Sequence, residues 1–120
     1  AGIVRLDNTL ILLTTLKKGG LTAGSHYEDH FLGPDRMQWQ SQTQTRRDSQ
    51  IGRMLSGTDN QARFHLFVRN GKLRNGKAAT FLYCGQPEFE GWEGEKPITV
   101  TWRLPAPVPD HLRPGLGIAG

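Results

Sequence analysis

Cysteine is nearly missing from this chain: Cys84 stands alone in 120 residues. A single thiol excludes an internal disulfide and a cysteine-built zinc cage, and it fits a reducing cytoplasm. Long hydrophobic runs are missing too. None exceeds four residues, as in Leu10 to Leu13, whereas a membrane span needs about 20. No membrane partner is therefore expected. No stretch has the charged start and apolar centre of a secretory leader. Internal repeats, a nucleophile elbow and a glycine-rich phosphate loop are also absent. The last shortage is local: between Arg36 and Lys77 the only acidic residues are Asp48 and Asp59.

Against those two acids stand Arg36, Arg46, Arg47, Arg53, Arg63, Arg69, Lys72, Arg74 and Lys77. Nine minus two is +7, while the whole chain carries only +4. The same window holds the run Trp39-Gln40-Ser41-Gln42-Thr43-Gln44-Thr45, rich in amides and hydroxyls. Cations neutralise phosphates, and amides read base edges, so the pairing points to nucleic acid. The plainer alternative is a solvated basic face.

A chain of 120 residues forms one domain, burying roughly two-thirds of its unfolded surface. It opens on Ala1 and closes on a loose glycine-rich end, Gly115 to Gly120, as expected of a module that belongs to, or docks with, something larger. Strand signals dominate. Thr9 to Leu16 is apolar on both faces. Ala62 to Arg69 alternates, with Ala62, Phe64, Leu66 and Val68 on one face and Arg63, His65, Phe67 and Arg69 on the other. Ala79 to Cys84 forms another strand, after a basic turn over Lys72 to Lys77. Lys96 to Leu104 turns Ile98, Val100, Trp102 and Leu104 inward, and Thr99, Thr101 and Arg103 outward. Met37 to Gln42 is a short strand with Met37 and Trp39 on one side and Gln38, Gln40 and Gln42 on the other. Two short helices are expected: one from the capping-box spacing of Ser25 to Glu28 on through Phe31, the other over Thr45 to Leu55. The class is α+β, mainly β: a strongly bent sheet or small β-barrel with one or two short helices. Pro105, Pro107 and Pro109 end the regular structure, and residues 105–120 form a Pro/Gly-rich tail that wraps the surface.

His26 and His30 are four apart, so on a helix they would share a face that metal binding can use. They lack zinc-protease spacing, and a third ligand is not evident; a polar helix face explains them equally. Glu88, Glu90, Glu93 and Glu95 beside Lys96 suggest a metal-dependent nuclease, but Gly94 breaks the acid-x-Lys spacing. A solvated acidic hairpin fits better. Trp102 and Trp39 are in phase with core residues and are expected in the core. Trp92, between Gly91 and Gly94, is expected to be partly exposed.

Several segments match a known pattern in order: Leu12 to Lys18, His26 to Phe31, Trp39-Gln40-Ser41-Gln42, Leu66-Phe67-Val68-Arg69, Thr80 to Gly85 and Lys96 to Trp102. Together, over about residues 3 to 105, they resemble the C-terminal domain of unknown function on bacterial helicase and nuclease proteins of restriction and phage-defence type. The resemblance supplies no catalytic residue. It implies an accessory module that tells a nuclease or helicase where to act by sensing modified DNA, through a modified base or a sulfur-substituted phosphate. By analogy it implies a curled sheet with a pocket, as in base-flipping readers such as the SET- and RING-associated domain.

The expected function is thus a non-catalytic, cofactor-free module that binds modified duplex DNA beside its parent nuclease or helicase. Arg46, Arg47, Arg53, Arg69, Lys72, Arg74 and Lys77 would hold the backbone. Gln40, Ser41, Gln42 and Thr43 would contact a base or modified phosphate, and Tyr27 would wall the pocket. The alternatives are a small metal-dependent nuclease using His26 and His30, and a protein-docking module of a helicase–nuclease system.

Overall fold

The computed structural model describes residues 2–16, 29–41, 45–56, 62–70, 73–74, 76–78 and 80–118. The chain is mainly β. One four-stranded sheet, sheet A, is ordered β1 (Gly2–Leu6), β2 (Thr9–Thr15), β5 (Arg63–Arg69) and β8 (Leu82–Tyr83). The other, sheet B, is ordered β3 (His30–Gly33), β4 (Arg36–Gln40), β10 (Thr99–Arg103) and β9 (Glu88–Glu93). A two-stranded hairpin, β6 (Leu73–Arg74) with β7 (Lys77–Ala78), completes the pairing. Neither sheet closes on itself, so the bend expected from the sequence takes the form of two packed sheets rather than a barrel.

Alternation decides which side of each strand meets the other sheet. In sheet A, Leu10, Leu12, Leu66 and Val68 are fully buried. In sheet B, Met37, Trp39, Val100 and Trp102 are fully buried. All eight join one hydrophobic cluster. Trp102 is its hub. Its ring lies 6.2 Å from Trp39 edge-on, 6.1 Å from Phe89 and 5.1 Å from Phe64 on the opposite sheet. The expected inward sets of β4, β5 and β10 are all borne out, as are the core places of Trp39 and Trp102. Trp92 is half-buried, as expected.

β2 and β5 run parallel, with Leu10 beside Phe64 and Leu12 beside Leu66. A parallel pair cannot be joined by a hairpin. The chain between them builds β3, β4 and the helix α1 (Gln50–Ser56) instead. The helix begins later than the expected Thr45. Ser49 stops it: its hydroxyl accepts from Gly52 N–H at 3.0 Å and donates to Arg46 O at 2.6 Å, an N-terminal cap. Gly52 is required there, because a Cβ would collide with the Arg46 and Arg47 carbonyl oxygens.

Two other expectations change, and one strand forms that the sequence pattern did not mark. Phe31 lies on strand β3, not on a helix, and is buried with His30 and Leu32 facing out; Ser25 to Glu28 fall outside the described residues. Pairing with β4 through Phe31 and Met37 overrides the local helix signal. The strand over Ala79 to Cys84 contracts to Leu82–Tyr83. β1, unmarked by any strong pattern, forms by pairing Ile3 with Leu12 and Arg5 with Leu10. The tail wraps the body through residue 118. Val108 and Ile118 are buried, and Val108 N–H donates to Pro34 O at 2.8 Å.

Trp39→Ala should lower stability by about 3–5 kcal/mol, because it empties the centre of the core. Denaturant unfolding checks this; a midpoint like the parent chain's would contradict the core assignment.

Candidate functional site

With Met37 and Trp39 turned inward, β4 must present Gln38 and Gln40 on the outer side of sheet B. Register fixes their neighbours. Gln38 stands between His30 of β3 and Thr101 of β10, and Thr101 is followed by Gly91 of β9. Gln40 stands beside Thr99, which is followed by Glu93. The outer face of sheet B is therefore amide, hydroxyl and carboxylate. Gly91 breaks the first row: nothing lies within 4 Å of where a Cβ would stand. An open depression of about 380 Å³ forms there, lined by Gln38, Gly91, Trp92, Glu93, Thr99 and Thr101.

Charges surround it. Glu90 carries two arginines, Arg36 at 3.3 Å and Arg103 at 3.4 Å. The Arg47 guanidinium sits 5.0 Å over the Trp92 ring and its Nε donates to Gly94 O at 3.1 Å. The Arg47 backbone N–H donates to Glu95 Oε2 at 2.8 Å, which ties the loop before α1 to the β9–β10 turn. The acidic hairpin expected from the sequence is the β9–β10 hairpin, and its Glu90 and Glu95 are engaged.

The expected site residues do not form one surface. Gln40 is outward and half-buried. Its Nε2 donates to Thr99 Oγ1 at 3.3 Å, and Asp29 Oδ1 accepts its backbone N–H at 2.8 Å. Ser41 is buried: its backbone N–H donates to Ile98 O at 2.9 Å and its hydroxyl accepts from Ile98 N–H at 2.9 Å. It clasps β4 to β10 beneath the surface. Arg46 is exposed beside Asp48, at 3.5 Å, and Arg53 is exposed on α1. Arg69 lies on the outer side of sheet A, with Nε donating to Thr15 Oγ1 at 2.8 Å and its guanidinium 4.5 Å from the Phe81 ring centre. Arg69 and Gln40 thus occupy opposite sides of the molecule. Arg74 and Lys77 are cross-strand partners in the β6–β7 hairpin, where the backbone is described. Tyr27, Gln42, Thr43 and Lys72 lie outside the described residues, as does His26.

His30 is on a strand, so it does not share a helical face with His26. Among the described residues no three His, Cys, Asp or Glu converge as metal ligands. No described helix is long and apolar enough to cross a membrane. Gln38, Gly91, Thr99 and Thr101 are lining residues that motif reasoning passed over. Gln38 carried a signal, its shared phase with Gln40, whereas the gap at Gly91 exists only once β9 pairs with β10.

Two outcomes follow from burial. Ser41→Ala strands the Ile98 N–H and should cost about 1–3 kcal/mol of stability, read by denaturant unfolding. Burial pushes the Cys84 thiol up to about 11. Raising an acid's pKa favours its protonated form, so at pH 8 roughly one thiol in a thousand is reactive thiolate. A disulfide reagent should label the native chain far more slowly than the unfolded chain; equal rates would contradict this.

No curated protein matches the chain significantly. A family model described as a domain of unknown function, DUF3427, matches residues 1–114, nearly the whole of the two-sheet body and its tail. The chain belongs to the DUF3427 family.

Proposed function

We propose that this domain is a non-catalytic module that binds modified duplex DNA in the cytoplasm and directs a restriction or defence nuclease or helicase to it. The modification would be a modified base or a phosphorothioate. The observation that carries this reading is the outer face of sheet B. A depression of about 380 Å³ lies within the range of small-ligand sites, and its lining is polar. Gln38 offers both a donor and an acceptor, Thr99 and Thr101 offer hydroxyls, and Glu93 offers an acceptor for an exocyclic amine. Arg46, Arg47 and Lys96 stand exposed on the neighbouring loops as phosphate contacts. Arg36 and Arg103 share Glu90, so their net contribution is reduced to one positive charge.

Binding should weaken with salt. If four to six cations touch phosphates, log K should fall with log salt at a slope of about −4 to −5. No binding to any duplex at low salt sinks the proposal. Gln38→Ala and Gln40→Ala should each reduce discrimination between modified and plain duplexes by about 1–3 kcal/mol. Gly91→Leu, which fills the depression, should do the same while the melting temperature stays near the parent value. Incubation of the domain with plasmid and divalent metals should leave the plasmid uncut.

A further inference from the structure

The outer side of sheet A differs in chemistry from that of sheet B. Because Phe64, Leu66 and Val68 point inward, β5 turns Arg63, His65, Phe67 and Arg69 outward. Tyr83 of β8 is the register partner of Phe67 and stands on the same side. Three rings form a row. Tyr83 lies 4.9 Å from Phe67 and 5.9 Å from His65, and both neighbouring rings are tilted against it. His65 Nδ1 and the Tyr83 hydroxyl share a hydrogen bond of 2.8 Å. That bond holds the tyrosine ring in place although its residue is 49% exposed. An exposed, pre-positioned aromatic ring is costly to leave in water and suited to stacking.

Cations bracket the row. Arg63 is exposed at one end and Arg69 stands at the other. Six residue steps separate them, about 20 Å of strand. Arg69 uses Nε on Thr15, and a guanidinium has further N–H donors to offer. No Asp or Glu occupies the outward positions of β1, β2, β5 or β8. The connection from Arg69 to β8, residues 70–81, holds Lys72, Arg74 and Lys77 and no acid. By topology that connection starts at the Arg69 end of the ring row.

We infer that this face binds single-stranded nucleic acid, with unpaired bases stacked on Tyr83, Phe67 and His65 and phosphates at Arg63 and Arg69. Stacking rings beside a basic track is the chemistry of sequence-tolerant single-strand binding, and a 20 Å track suits a short site of about four nucleotides. A duplex hides its base faces and cannot use the rings, so this face recognises an opened strand rather than paired DNA. The inference concerns the opposite sheet from the duplex reading and does not depend on it.

The experiment is fluorescence anisotropy of the full chain with three labelled probes of equal length: a 12-nucleotide thymidine strand, a 12-residue abasic strand and a 12-base-pair duplex. The thymidine strand should bind about ten-fold more tightly than the abasic strand at one salt concentration. Tyr83→Leu, which keeps apolar bulk but removes the ring, should weaken thymidine binding about ten-fold and leave abasic binding unchanged. Tyr83→Phe should retain most of the affinity, and Arg63→Gln should weaken both single strands alike. Gln38→Ala should leave thymidine binding intact, so failure here is separable from failure of the duplex reading. Equal binding of thymidine and abasic strands, or a Tyr83→Leu variant with parent affinity, overturns the inference. Leu6, exposed on the same side of β1 through its pairing with Thr9, supplies the control: self-association in sedimentation that Leu6→Lys abolishes, without any single-strand binding, would make the face a protein contact and overturn the inference.

Discussion

The packing of Trp102 against Phe64 is the contact on which the rest of the molecule depends. It joins the two sheets at 5.1 Å, and Trp39 and Phe89 close around the same indole. A strand has a period of two, so burying one residue settles the direction of all its neighbours. With Trp102 and Trp39 inward, Thr101, Gln38 and Gln40 have to point out. With Phe64 inward, His65 and Phe67 have to point out on the far side. The core thus sets both outer surfaces. A one-residue slip in β4 or β5 would exchange a surface for the core.

Those two surfaces are unlike because the outward residues of their strands differ in chemistry. Sheet B meets solvent with amides, hydroxyls and charges, and a glycine opens a depression among them. Sheet A meets solvent with Val4, Leu6 and Tyr83, each more than two-fifths exposed, beside half-buried Ile11, Leu13 and Phe67. The both-face apolarity of Thr9 to Leu16 suggests a strand covered on both sides, and the structure corrects this: Ile11 and Leu13 are only half-buried. Its inner side is covered by the core, while its outer side belongs to this apolar and aromatic surface. A module with two dissimilar faces can touch two things at once.

Charge shows the limit of adding residues along a chain. The +7 window is a property of sequence, but the fold distributes it. Arg36 goes to Glu90, the loop of Arg47 goes to Gly94 and Glu95, and Arg69 goes to the opposite sheet. The Arg36–Glu90 ion pair is exposed and contributes little to stability. Its effect is on the field, because Glu90 cancels one of the two positive charges of Arg36 and Arg103. Ser41 makes the same point for polarity. The hydroxyl that suggested base reading sits where it is needed to satisfy a buried backbone N–H.

What the sequence determined by itself is the mainly β class, the inward and outward sets of β4, β5 and β10, the core places of Trp39 and Trp102, and the wrapping tail. The strand sets follow from local alternation, which burial enforces wherever a strand has one side in the core, and the tail follows from Pro105, Pro107 and Pro109, which end regular structure. Tertiary structure alone decided the rest. β1 exists because β2 offers it an edge, and Phe31 leaves a helical pattern because Met37 offers it a partner. The depression at Gly91 and the ring row of His65, Tyr83 and Phe67 depend on which strands become neighbours. That choice rests on contacts between residues far apart in the chain, through a parallel β2–β5 pair whose strands are separated by β3, β4 and α1. Periodicity describes one strand at a time and carries no record of the strand beside it.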